Sequence, residues 1–225
     1  MVRRWATGGM LVAVGLALAG CGGVGPATGA GDPKAATGPV PDELMREGPL
    51  GDRVLGNANA PVTVIEYASL TCPHCANFQR NVFPRVKKEF IDTGKIRFIV
   101  REFPIGHTSG TAAIVNRCAP ADKYFALFSA FLLRQPEWVS LEIRPDAIYA
   151  VAKSSGMTRE TFDKCLANQS IIDALTEVKQ RGRQFGVKGT PTFFINGEKT
   201  QGEVTFEQIK AMIEMQPPPR SASGA

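Results

Sequence analysis

The chain has 225 residues, 44% of them hydrophobic and 21% charged, the composition of a globular domain with appendages and not of a disordered or fibrous chain. Its formal charge is +5, and the first 20 residues hold Arg3, Arg4 and no acid, so removing those two charges leaves +3 on the rest. That bias is too small to argue for a nucleic-acid partner, and no basic stripe with interleaved aromatics accompanies it.

Arg3 and Arg4 precede an uncharged apolar run from Met10 to Ala19. A charged start before a hydrophobic run too short to span a bilayer is the order of a secretory signal. The run closes on Leu18-Ala19-Gly20-Cys21, and small residues just ahead of a cysteine at that place resemble a bacterial lipoprotein box. The expectation is a signal over 1–20 and a lipid-bearing Cys21 as the first mature residue, anchoring the domain to a membrane on the periplasmic side of the cell envelope. An ordinary signal cut nearby is the plainer alternative. Five cysteines make an odd count, but setting Cys21 aside leaves Cys72, Cys75, Cys118 and Cys165. That is an even set in an oxidising compartment, and it still permits three pairings.

From Gly22 to about Pro49 the sequence is rich in Gly, Ala, Pro and Thr and shows no sustained period, so residues 21–50 read as a flexible spacer. The folded part is expected to begin near Gly51. "PVTVIEYASL" has the β-branched and aromatic content of a strand and runs straight into Cys72-Pro73-His74-Cys75. Phe78, Val82, Val86 and Phe90 then recur at helical spacing, with Pro84 placed to kink the helix. After "DTGK", "IRFIVREFPI" reads as a second strand, charged at Arg97, Arg101 and Glu102, and strand-helix-strand order implies a parallel pair. From about Thr108 to Arg181 apolar residues keep helical spacings, and Gly156 and Thr158 read as one helix's end and the next helix's cap. "TPTFFINGEKTQG" is a strand, an Asn196-Gly197 hairpin turn and a short second strand. "VTFEQIKAMIEMQ" closes the fold as a helix with Phe206, Ile209 and Ile213 on one face, before Pro217 to Pro219 stop it.

A Cys-x-x-Cys that ends a strand and opens a helix sets its two sulfurs apart. Cys72 lies at the positive helix end near free backbone N–H groups, which stabilises its thiolate, while Cys75 sits one turn inward and is shielded. Cys72 is then the sulfur that attacks or is attacked, Cys75 resolves the mixed disulfide, and His74 is placed to donate a further hydrogen bond to the thiolate. A stabilised thiolate makes the disulfide easier to reduce, so the pair is expected to act as an oxidant. Zinc would need two more ligands, and the chain has only His74 and His107 to offer beside its cysteines, so neither a metal nor another cofactor is expected. A purely structural bridge is the remaining alternative. Farther on, Thr190-Pro191 just ahead of a strand reads as a cis bond.

"VIEYASLTCPHC" and "GVKGTPTFFING", separated by a helical block, resemble the DsbA-like branch of the thioredoxin superfamily, an α/β thioredoxin fold with a helical domain inserted in its middle. The resemblance covers roughly Gly51 to Gln216. It implies thioredoxin-fold parts over 51–107 and 182–216, an inserted helical domain over 108–181 and a disordered tail over 217–225. It further implies that Cys72 is the nucleophile of the Cys72-Pro73-His74-Cys75 motif, that Pro191 packs against the disulfide, and that the backbone at Thr190 pairs with substrate peptide. Glu66 matches a buried acid that assists proton transfer at Cys75, its plainer alternative being an exposed strand charge. The partners implied are exported proteins with cysteine thiols and a membrane reoxidising partner of the quinone-linked type, for a monomer without nucleic acid. Cys118 and Cys165 read either as buried unpaired residues or as a second disulfide, and a subset of the family has such a second pair. The alternatives for function are an isomerase or reductase with the same site, and a non-enzymatic module that captures unfolded exported chains. His107 receives no role, and Tyr124, Phe125, Phe128 and Phe131 are expected to pack the helical core, with a substrate groove as the second reading.

Overall fold

The computed structural model describes residues 42–216. The leader over 1–20, Cys21, most of the spacer and the tail over 217–225 lie outside the described residues. Among those described, no helix is long and apolar enough to cross a membrane.

The two apolar runs form the centre of a sheet, as β2 (Val62–Ala68) and β3 (Ile96–Glu102). They pair in parallel from Val62 opposite Ile96 to Ala68 opposite Glu102, and β2 is buried along its whole length, as a strand covered on both faces must be. The crossover between them is α2 (Pro73–Asn81), α3 (Phe83–Val86) and a π-helical turn over Lys87–Ile91. The helix breaks at Val82, so Pro84 falls in the first turn of a new helix, where its missing N–H costs nothing.

β4 (Thr192–Ile195) adds to β2 antiparallel and turns at Asn196 and Gly197, both with positive φ, into β5 (Glu198–Gln201), the two-residue hairpin that an Asn-Gly pair favours. One further strand went unread in the sequence, β1 (Arg53–Gly56), which pairs antiparallel with β3. The final order is β1-β3-β2-β4-β5.

Helices cover both faces. On one, Val64, Ala68 and Phe193 meet Phe78 of α2 together with Ile209 and Ile213 of α10 (Phe206–Glu214), and the rings of Phe78 and Phe193 lie 4.7 Å apart. On the other, Ile65, Tyr67 and Phe194 meet Leu44, Phe103 and Val187. The long α9 (Gln169–Gln184) crosses this second face at Gly182, where a Cβ would come within 2.9 Å of the Tyr67 ring, so only glycine allows that approach.

The inserted block is α4 (Gly106–Arg117), α5 (Tyr124–Leu133), α6 (Gln135–Trp138), α7 (Pro145–Ala152), α8 (Arg159–Leu166) and α9. Gly156, at φ 88°, closes the turn after α7, and the Thr158 hydroxyl caps α8 by accepting from Thr161 N at 3.1 Å. Tyr124, Phe128 and Phe131 are buried in the core and Phe125 packs at its margin. Cys118, at the C-cap of α4, is disulfide-bonded to Cys165 of α8, with Cα atoms 6.1 Å apart.

The spacer expected to reach residue 50 ends earlier than that. Residues 42–45 form the short helix α1 (Asp42–Met45), and Leu44 is only 1% exposed. Three arginines from distant elements hold the segment after it. Arg101 donates to the carbonyls of Leu44 and Arg46 and makes a two-pronged pair with Asp52 at 3.0 and 2.8 Å. Arg117 donates to Gly51 O, and Arg181 to the carbonyls of Glu43, Arg46 and Glu47. A segment with few apolar side chains is thereby fixed through its backbone acceptors, which composition does not reveal. The neighbouring Glu102 points into the other layer, where Arg117 donates to it at 2.5 and 2.7 Å and the Tyr124 hydroxyl at 2.7 Å.

Candidate active site

β2 delivers the chain through Ser69, Leu70 and Thr71 to Cys72, which has extended backbone and stands as N-cap of α2, with Pro73 in the first turn. The Cys72 side chain is half-buried and Cys75 fully buried, and neither is disulfide-bonded. The Cys75 thiol donates to the Cys72 sulfur, and the backbone N–H groups of Cys75 and His74 point at it too. Together with Thr190 they hold Cys72 down to about 5 against the opposing effect of its burial. Burial pushes Cys75 well up, and the Cys72 sulfur and the Glu66 charge push it the same way. The two sulfurs of one motif therefore have opposite acidities.

Glu66 lies on β2 between Val100 of β3 and Phe193 of β4 and is 1% exposed. Among the described residues both its carboxylate oxygens lack a hydrogen-bond partner. Burial, and then the Cys72 charge, raise it to about 8, so the carboxyl is protonated at neutral pH and stands beside the sulfur that most needs a proton. Because that value lies above the 4.5 of an exposed glutamate, folding is penalised progressively as pH rises from about 4.5 to 8, and not at all below that window. Glu66→Gln is therefore expected to add about 3 kcal/mol of stability at pH 7 and almost none at pH 4, while slowing thiol exchange. Urea unfolding at the two pH values checks it, and an equal gain at both would refute the buried acid.

Thr190-Pro191 is a cis peptide. It brings Thr190 O to 3.1 Å from the Cys72 sulfur, which donates to it as a thiol, and Gly202 N donates to Pro191 O. Residues 118 positions apart thus meet at one atom.

His74 is oriented differently from the expectation. Its Nδ1 pairs with Glu203 Oε1 at 2.8 Å, and Asn77 Nδ2 donates to the same oxygen. The exposed imidazole has turned to this carboxylate, which raises its pKa, and the His74 group facing the Cys72 sulfur is its backbone N–H.

Gln135 went unread in the sequence. From α6 its amide donates to Leu70 O at 2.7 Å and Cys72 O at 3.0 Å, so the helical layer holds the two carbonyls that flank the reactive loop. The loop after β3 is tied in as well. Ile105 N donates to Ser69 Oγ, which also bonds Ser109 Oγ at 2.8 Å, and Thr71 Oγ1 donates to Ile105 O at 3.3 Å. Glutamine and serine at such separations carry no motif, and only the fold brings them together. Among the described residues, no three of His, Cys, Asp and Glu converge as metal ligands would. The Cys118–Cys165 bond uses neither sulfur of the site.

A family model described as Thioredoxin matches residues 50–215. A Rickettsia conorii protein named as a protein-disulfide oxidoreductase is 35% identical over 167 residues, 72% of this chain, and the match spans 59% of that relative's length. The crystal structure of alpha-DsbA1 from Wolbachia pipientis superposes with a TM-score of 0.71 at 30% identity, covering 76% of this chain and 94% of that one. Oxidised BdbD from Bacillus subtilis superposes with a TM-score of 0.67 at 26% identity, covering 72% and 91%.

Proposed function

Because this chain belongs to the DsbA-like branch of the thioredoxin superfamily, we propose that it oxidises pairs of cysteine thiols in exported proteins by donating a Cys72–Cys75 disulfide. What carries this reading is the opposed acidity of the two sulfurs, with Cys72 near 5 and Cys75 pushed well up. A substrate thiolate attacks Cys72 and forms a mixed disulfide, and the S–S bond to Cys75 breaks. Cys75 leaves with the electron pair and takes a proton, which the buried, protonated carboxyl of Glu66 supplies. The second substrate thiolate then attacks the first substrate sulfur and expels Cys72, whose low pKa makes it a good leaving group. The substrate has lost two electrons and two protons, and the enzyme's pair is reduced. A stabilised Cys72 thiolate favours that outcome, hence an oxidant. The backbone at Thr190, beside Cys72, holds the substrate strand.

Reoxidation by a quinone-linked membrane partner, a lipid anchor at Cys21 and a place on the periplasmic face of the envelope complete the reading. The order of Arg3, Arg4, an apolar run and Leu18-Ala19-Gly20-Cys21 supports the anchor, and fatty-acid labelling that is lost in Cys21→Ser checks it. The central experiment is the equilibrium of Cys72–Cys75 with glutathione. The expected potential lies between about −180 and −120 mV, and a value near the −270 mV of thioredoxin would make the site a reductant. Cys72→Ser is expected to lose all exchange, and full activity in that variant would leave only a binding module.

A further inference from the structure

α4 carries Gly110 in its interior, where glycine weakens a helix relative to alanine. Its φ is not in the positive region, and a Cβ built there would meet no atom within 4 Å. Neither backbone conformation nor crowding requires this glycine. What it borders is a groove of about 510 Å³ between α4 and α9. Ile114, Ile172 and Leu175 give the groove an apolar lining, to which Ile143, 42% exposed, adds from the loop before α7.

The other end is basic. His107, Lys179 and Arg183 line it, and no carboxylate does. Among the described residues neither Lys179 nor Arg183 has an acidic partner within salt-bridge distance, and burial beside Arg183 lowers the Lys179 pKa. This basic end adjoins the reactive loop, since Lys179 Nζ donates to Pro104 O at 2.6 Å and Thr71, next to Cys72, donates to Ile105 O. Ile105 itself is 50% exposed there. From Arg183 back to Ile172, α9 spans about 16 Å at about 1.5 Å per residue, room for about five residues of extended chain.

We infer that the α4–α9 groove receives an extended segment of the cysteine-bearing chain being oxidised, with an acidic residue near the cysteine facing Lys179 and Arg183 and apolar residues beyond it on Ile172 and Leu175. Uncompensated cations at the near end and an apolar far end fix that order by charge complementarity. The inference rests on the oxidoreductase reading and adds the substrate class to it.

The test uses the whole chain and synthetic peptides carrying two cysteines with an acidic-then-apolar flank, beside matched peptides with lysine in place of the acid and the flank on either side of the cysteines. The acidic-apolar peptide is expected to be oxidised with kcat/KM about tenfold higher, the size of effect an interface anchor gives. Gly110→Leu, which fills open space and favours helix, is expected to abolish that preference and leave dithiothreitol oxidation unchanged, and Arg183→Glu to reverse it. Fluorescence anisotropy with cysteine-to-alanine peptides reads the same preference without any chemistry, so failure to oxidise dithiothreitol would count against the oxidoreductase reading alone. Equal binding of all peptides, or a preference that survives Gly110→Leu, would overturn the groove assignment. So would a wild-type dimer that Gly110→Leu converts to monomer, because a second copy would then be the occupant.

Discussion

Arg101→Met is expected to cost about 3 to 5 kcal/mol of folding stability, the loss typical when one partner of a buried ion pair is removed. Arg101 and Asp52 are each 4% exposed in their side chains, so the substitution strands a carboxylate without its counter-charge. It also takes the Arg101 donor from Leu44 O and one of the two donors from Arg46 O, and an unmade buried hydrogen bond carries its own penalty. In a domain of this size the melting temperature would fall by about 10 °C. Urea unfolding measures the effect, and a loss under about 1 kcal/mol would mean that the segment after α1 contributes little. A double variant, Arg101→Met with Asp52→Leu, is expected to recover part of the loss, because the stranded charge is then gone while Leu44 O still lacks the Arg101 donor.

The second large effect belongs to the Cys118–Cys165 bond. It closes a loop with a sequence separation of 47, and the chain-entropy account assigns such a cross-link about 4 kcal/mol at 25 °C. Replacing both cysteines with alanine should therefore lower the melting temperature by about 10 °C. Thiol exchange below the new transition should persist, since Cys72 and Cys75 remain. An unchanged melting point in the double alanine variant would show that the bond contributes nothing to stability.

Where the sequence was legible, local chemistry carried the signal. The β-branched run before Cys72, the helical spacings after it, Gly156 with Thr158, and Asn196-Gly197 each state a local conformation that the fold adopts. β1 was not legible because Arg53–Gly56 is a four-residue edge strand with too few positions to show alternation. α1 was missed because its segment is held by side chains 50 to 140 positions away acting on carbonyls, and carbonyls are the same in every residue. Arg101 and Glu102 read only as charges interrupting a strand, although one anchors the N-terminal segment and the other the helical layer. The orientation of His74 depends on Glu203, 129 positions on, and Gln135 lies 63 positions from the carbonyl of Cys72 that it holds. Such pairs follow from the finished topology and not from any spacing. The sulfurs and the proline could be found from their types, but the groups that orient them could not.

As a chain emerges amino end first, Cys72 and Cys75 appear well before Gln135, and Thr190, Pro191 and Glu203 later still. Until the helical layer docks, the carbonyls of Leu70 and Cys72 lack the side-chain amide of Gln135. Until the last third of the chain has returned to the sheet, β4 is not beside β2 and Thr190 O is not beside the sulfur. The two cysteines therefore emerge before Gln135 and Thr190 can reach them, and the contacts made by those two residues form only when the fold closes around the motif.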